Sequence, residues 1–200
     1  MPPSTVTADA FARAVAALRS AHPRSEITVS ELAAPRRLAP YAYALGAAVG
    51  NPEADRPEEL AVEGAREAPE IATGRLVLLY DPAGQPAWQG TMRLVTYVTA
   101  QLEADLAADT LMPEVGWSWL VEALESHRAG YAALAGTVTQ TCSTRFGDLA
   151  GQPPSADLEI RASWTPDAGD DLPAHVDAWC TLLASAAGLP PPGVRRLHAR

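Results

Sequence analysis

The chain has 200 residues and a formal net charge of −9. That length suits one domain able to bury a sizeable core. The charge argues against a nucleic-acid binder that relies on a basic face, because phosphate neutralisation needs clustered Lys or Arg, and no run reaches the roughly 20 apolar residues of a membrane helix.

Thr7 is placed to cap a first helix, with Asp9 in its first turn favoured by the helix dipole. Phe11, Val15 and Leu18 form its apolar stripe, and His22-Pro23 ends it. Glu26 to Leu32 alternates weakly and reads as a short strand. Arg36 and Arg37 follow in a turn; such a pair is ordinarily solvated, and an anion site is the sharper alternative. Tyr41 to Val49 alternates large and small side chains and reads as a strand, with a helix as its competitor because Ala and Leu are good helix formers. Asn51 to Glu70 breaks the composition with seven carboxylates among Pro, Ala and Gly. Low hydrophobicity and high charge predict a mobile, solvated loop near 51–70.

Arg75 to Tyr80 is a short apolar run and reads as a strand. Asp81-Pro82-Ala83-Gly84 carries the residues of a type I turn and predicts a hairpin there. The return strand runs from Trp88 to Leu102. Its even positions are mainly apolar and its odd positions, among them Arg93 and Tyr97, mainly polar. After an acidic connector from Asp105 to Asp109, Pro113 suits the first turn of a helix. Trp117, Leu120, Val121 and Leu124 share its apolar face. Val115 and Trp119 lie roughly 160–200° away, at about 100° per residue. They are either covered by a loop or terminus, or form an interface with a partner.

Ala132 to Phe146 alternates again, with Leu134, Val138, Cys142 and Phe146 opposite a row of Thr, Ser and Arg. Gly147 to Pro154 is a loop. Asp157 to Trp164 has the clearest period of two, Leu158, Ile160, Ala162 and Trp164 opposing Asp157, Glu159, Arg161 and Ser163. Asp170 or Asp171 caps a last helix, with Pro173 in its first turn. Val176, Trp179, Cys180 and Leu183 recur at helical spacing. Gly188 and Pro190-Pro191-Pro192 stop it, and the chain from about 190 is expected to be a flexible tail.

Three strands with one apolar and one polar side imply an antiparallel sheet covered on one face. The expected class is α+β: one domain over 1–200, two layers, a five- or six-stranded antiparallel sheet with helices packed on one face. Two cysteines cannot make a disulfide-rich framework. Both Cys142 and Cys180 fall on apolar faces and are expected to be buried thiols. The N-terminus lacks a signal-peptide pattern, which points to the cytoplasm.

Chemical signatures are sparse. His175 follows Asp171 by four residues, so both reach one helical turn, but no third ligand is in register for a metal. Cys142 with His127 or His175 has the residue types of a nucleophile and base, yet sits on an apolar face where a thiol is inert. No dinucleotide, Walker-type, nucleophile-elbow or Cys-x-x-Cys motif occurs. Nothing calls for a cofactor, and an enzyme is the less favoured class.

The blocks Arg37-Leu38-Ala39-Pro40-Tyr41-Ala42-Tyr43-Ala44-Leu45, Ala72 to Pro82, Ala87-Trp88-Gln89-Gly90, Pro113 to Leu120 and Arg161 to Pro166 resemble the actinobacterial family known only as domain of unknown function 3000. The resemblance covers nearly the whole chain and implies a cytoplasmic protein of a GC-rich bacterium. The absence of Lys beside abundant Arg, Ala and Pro agrees with such a coding bias. The resemblance carries no activity. The order of elements is also similar to the type III secretion chaperone fold, whose members are dimers that hold partner segments, although a strand at Glu26 to Leu32 is additional to that pattern.

The reading that follows is a non-enzymatic binding or adaptor protein, acting as a homodimer and engaging a protein partner, with Val115 and Trp119 at the interface. The alternative is a small-molecule-binding domain or enzyme whose site lies on the polar sheet face, lined by Arg93, Tyr97 and Arg161.

Overall fold

The computed structural model describes residues 5–50, 70–103, 106, 109–151, 154–167 and 171–194. The elements in order are α1 (Thr5–Arg19), β1 (Ile27–Leu32), β2 (Tyr41–Val49), β3 (Ala72–Gln85), β4 (Gly90–Leu102), α2 (Met112–Ser126), β5 (Tyr131–Ser143), β6 (Ser155–Pro166) and α3 (Leu172–Ala186), with single 3-10 turns at Pro86–Trp88 and Gly147–Leu149. The strands form one six-stranded antiparallel sheet in the order β1-β2-β3-β4-β6-β5. The three helices pack on one face, giving the expected α+β class. The weakly alternating segment ending at Leu32 is a true strand, β1.

The main core lies between sheet and helices. Leu76, Leu78, Leu94, Val98, Leu158, Ile160 and Trp164 rise from the sheet against Leu120, Leu124, Val176, Trp179 and Leu183. α3 packs against both α1 and α2 as well as four strands, which explains why it is apolar nearly all round. Gly74 lets it approach. A Cβ there would lie 2.9 Å from Trp179 Cζ2, so a side chain would push the indole off the sheet. Trp164 is fully buried, and its Nε1–H donates to His175 Nδ1 at 3.1 Å. His175 is therefore a core residue bonded to an indole, and among the described residues no three His, Cys, Asp or Glu side chains are grouped as for a metal.

Several local expectations are corrected. α1 begins at Thr5, so Thr7 lies inside its first turn. Asp171 occupies the N-cap of α3 but makes no side-chain capping bond. The hairpin does not turn at Asp81–Gly84. Asp81 instead closes a bulge within β3: its Oδ1 accepts from the Ala83 N–H at 3.0 Å and its Oδ2 from Gln85 Nε2 at 3.2 Å. The chain reverses at Pro86–Trp88, with Gln89 left-handed at φ 57°. Cys142 and Phe146, expected on the core side, are exposed, because they lie at and beyond the far end of β5, at the strand's uncovered end. The loop expected at 51–70 lies outside the described residues except for Glu70, as do Asp105, Asp170 and the tail from 195.

Among the described residues neither Cys142 nor Cys180 forms a disulfide. Burial, with the Asp177 charge adding to it, pushes the Cys180 thiol up to about 12. A thiol is nucleophilic only as the thiolate. A maleimide at neutral pH should therefore label Cys142 in the native protein and reach Cys180 only after denaturation. Mass spectrometry after a short pulse checks this, and native labelling at Cys180 would show that α3 is less well packed than described.

Candidate functional site

The reverse face of the sheet is not bare. Cross-strand neighbours line up in rows: Ala44, Val77 and Val95 in one, Ala42, Leu79 and Arg93 in the next. Ala44, Val77 and Leu79 are buried in a second, small apolar cluster, with Ala39, Ala42, Trp88 and Val95 packed on it. The loop from 33 to 40 and the turn at Trp88 therefore fold over the centre of this face. Arg75 helps hold that loop, its Nη2 donating to the Ala33 carbonyl at 2.7 Å.

Arg93, expected on an open polar face, is on that face but only 8% exposed. It reaches across β6. Its Nη1 donates to Thr165 Oγ1 at 3.2 Å and its Nη2 to Ser163 Oγ at 2.8 Å. The Thr165 hydroxyl in turn donates to the Trp88 carbonyl, which leaves its lone pairs free to accept from the arginine. Burial pulls the guanidinium below its ordinary pKa.

Tyr97 and Arg161 are neighbours, but they are bound to each other's partner rather than to Arg93. Tyr97 Oη donates to Glu159 Oε2 at 2.6 Å, and Arg161 Nε lies 2.9 Å from Glu159 Oε1. The Arg161 guanidinium carbon also sits 5.3 Å from the centre of the Tyr97 ring. The hydrogen bond to Glu159, with partial burial, raises the Tyr97 hydroxyl above its usual range. This is a satisfied surface triad, of the kind that pairs charges across strands. Between it and Ser163 lies a shallow, open depression of about 480 Å³, in which the Val95 and Ala135 side chains flank Ser163 across the sheet.

The helix residues singled out for an interface are half-buried. Trp119 packs against the main core, and Val115 is partly covered. Trp117 approaches β5: a Cβ added to Gly136 would lie 2.8 Å from its Cζ3. Val115 and Trp119 therefore lie on the flank of α2 away from β5, since roughly 160–200° separates them from Trp117.

The feature that sequence reasoning missed is that β5 is an outermost strand of the sheet, with its Gln140 Nε2 donating to the Leu106 carbonyl of the β4–α2 connector at 3.2 Å. Among the described residues β5 pairs with β6 alone. It is 13 residues long, YAALAGTVTQTCS, and carries no charge and no proline. A bulge between Ala132 and Ala135, with Ala133 at φ 50°, distorts its start. From Ala135 to Ser143 the ladder is regular. The opposite edge, β1, has six residues and carries Glu31. Proteins ordinarily blunt long edges with charge, proline or cover, because the unpaired N–H and C=O groups recruit another strand. The one available signal in the sequence was this charge-free run of Thr and apolar residues.

No curated protein and no solved structure matches the chain. The family model described as a protein of unknown function, DUF3000, matches residues 7–195, and the chain belongs to that family.

Proposed function

We propose that this protein is a non-enzymatic binding protein that works as a homodimer, joined edge to edge through β5, in the cytoplasm of an actinobacterium. The observation that carries the dimer is the regular, uncharged edge from Ala135 to Ser143. Its occupant is a second copy running antiparallel, which makes the contact isologous and closed. Two copies of a chain with a net charge of −9 repel each other; a charge-free edge is where that repulsion is least. The half-buried Trp117, Val121, Tyr131, Leu134 and Val138 flank the same edge and gain cover when it is paired. The joined sheets bring together the β5–β6 ends of the two reverse faces, which lie beyond the cover of the 33–40 loop and the Trp88 turn, as a surface for a protein partner.

Thr139 lies at the centre of the regular stretch and is exposed, so a two-fold axis there sets Thr139 against its own copy. Like charges directly opposite one another across strands are destabilising. Light scattering coupled to gel filtration should give a wild-type mass of twice 21.0 kDa at tens of micromolar, and Thr139→Lys should move it to the monomer with its fold intact. A monomeric wild type removes the dimer. If Thr139→Lys stays dimeric while Trp119→Glu dissociates, the α2 flank is the interface instead.

A further inference from the structure

Arg93 is the most deeply buried of the described arginines that make hydrogen bonds, and its partners differ from those of the ion-paired arginines. Arg19 pairs with Glu31, Arg24 with Glu26 and Arg161 with Glu159. Arg93 has two hydroxyls and, among the described residues, no carboxylate. A guanidinium stays charged and carries five N–H groups, so the two hydroxyls satisfy only part of it. A buried cation without a counter-charge is costly. The Ser163 hydroxyl accepts from Arg93 and keeps its own proton to donate. Ser163 also lines the shallow, open depression, between Val95 and Ala135, its neighbours on the adjacent strands, so the Arg93–Ser163 hydrogen bond lies at the edge of that depression.

We propose that Arg93 and Ser163 form the carboxylate-binding end of a small-molecule site on the reverse sheet face, which takes a monocarboxylic acid with a compact apolar body. The guanidinium supplies one positive charge and the hydroxyl one donor, which matches a singly charged carboxylate. Val95 and Ala135 take the body of the ligand. The Tyr97–Glu159–Arg161 triad walls the far side and contributes shape, since its own charges are already paired. The site borders the dimer contact at Ala135 of β5 but is distinct from it: the ligand meets side chains on the reverse face, whereas the dimer uses the outer backbone of β5.

The test is isothermal titration calorimetry of the full-length protein with 1-naphthoate, the neutral 1-naphthamide and inorganic phosphate. Naphthoate should bind, with naphthamide and phosphate at least about tenfold weaker, as expected when a charged hydrogen bond is lost or mismatched. Ser163→Ala should weaken naphthoate by about three- to tenfold, and Arg93→Met, which keeps the length of the stem, should abolish binding. Naphthoate should also raise the melting temperature of the wild type more than that of Ser163→Ala, which keeps the assignment testable if Arg93→Met does not fold. The proposal is overturned if naphthoate does not bind at millimolar concentration, or if the amide or phosphate binds as well as naphthoate. It is equally overturned if Ser163→Ala binds and is stabilised like the wild type.

Discussion

Trp164→Ala is expected to remove most of the stability of the fold. The indole is fully buried at the centre of the main core, and truncating a buried Trp costs about 3–5 kcal/mol through lost transfer energy and the cavity left behind. Its Nε1–H also satisfies His175 Nδ1. Without it, an acceptor with no exposure at all loses its donor, a penalty of about 1–3 kcal/mol. A domain of this size has roughly 5–15 kcal/mol in total, so the variant should populate the unfolded state visibly at room temperature. Trp164→Phe separates the two effects. It keeps most of the ring volume and loses the donor, so its cost should fall near the hydrogen-bond part alone. Urea titration followed by circular dichroism measures both. If Trp164→Ala lies within about 1 kcal/mol of wild type, the sheet and α3 are not packed through this residue.

Trp164 also shows what the residue pattern could reveal. It ends the run Leu158, Ile160, Ala162, Trp164, and all four are buried on the helix side. A period of two along a half-covered strand reports the covered side directly. The same logic holds for Leu94 and Val98 on β4 and, at helical spacing, for Val176, Trp179, Cys180 and Leu183 on α3. It fails where the cover stops. Cys142 continues the alternation of Leu134 and Val138, yet it is exposed, because periodicity says which side a residue faces and not how far the helix above it extends. It fails again on the reverse face. Arg93 was placed on the correct side, but its burial depends on the turn at Trp88 and on the loop from 33 to 40, neither of which has a period to read.

The site was less legible than the fold for the same reason. The sequence neighbours β5 and β6 pair with each other. Which of them stands beside β4 is decided by how the chain passes through α2. The order β4-β6-β5 leaves β5 outermost, and an outermost strand has the same local pattern as an inner one. Its lack of charge becomes informative only once its position is known. Tyr97 and Arg161 illustrate the converse. Their types suggested a binding site, whereas Glu159 occupies both of them.

Gly136→Ala should release β5 from the sheet. A Cβ at this position would overlap the Arg161 carbonyl oxygen on β6 and lie 2.8 Å from Trp117 Cζ3 and 3.0 Å from Ala162 Cα. Trp117 is a side chain and can move. The carbonyl and the Cα belong to the backbone of the adjacent strand, at the centre of the β5–β6 ladder, where Gly136 pairs with Ala162 and Thr137 with Arg161. The strands must therefore separate locally, and overpacking of this kind costs about 1–3 kcal/mol, occasionally more. The loss should be uneven. Hydrogen exchange should accelerate from Ala135 to Ser143, while β2, β3 and β4 keep wild-type protection, since an edge strand opens without the rest of the sheet. Trp117→Leu, added to Gly136→Ala, relieves one of the three close approaches and leaves the two backbone ones, so it should not restore protection. A dimer built on β5 must feel this distortion more than the monomer does, because the partner strand requires a flat, regular edge. Gly136→Ala should thus dissociate the dimer under conditions where the monomer remains folded. A variant that keeps wild-type exchange along β5 would show that the strand does not approach Arg161 as described. One that loses protection on β5 yet stays dimeric would move the contact elsewhere on the molecule.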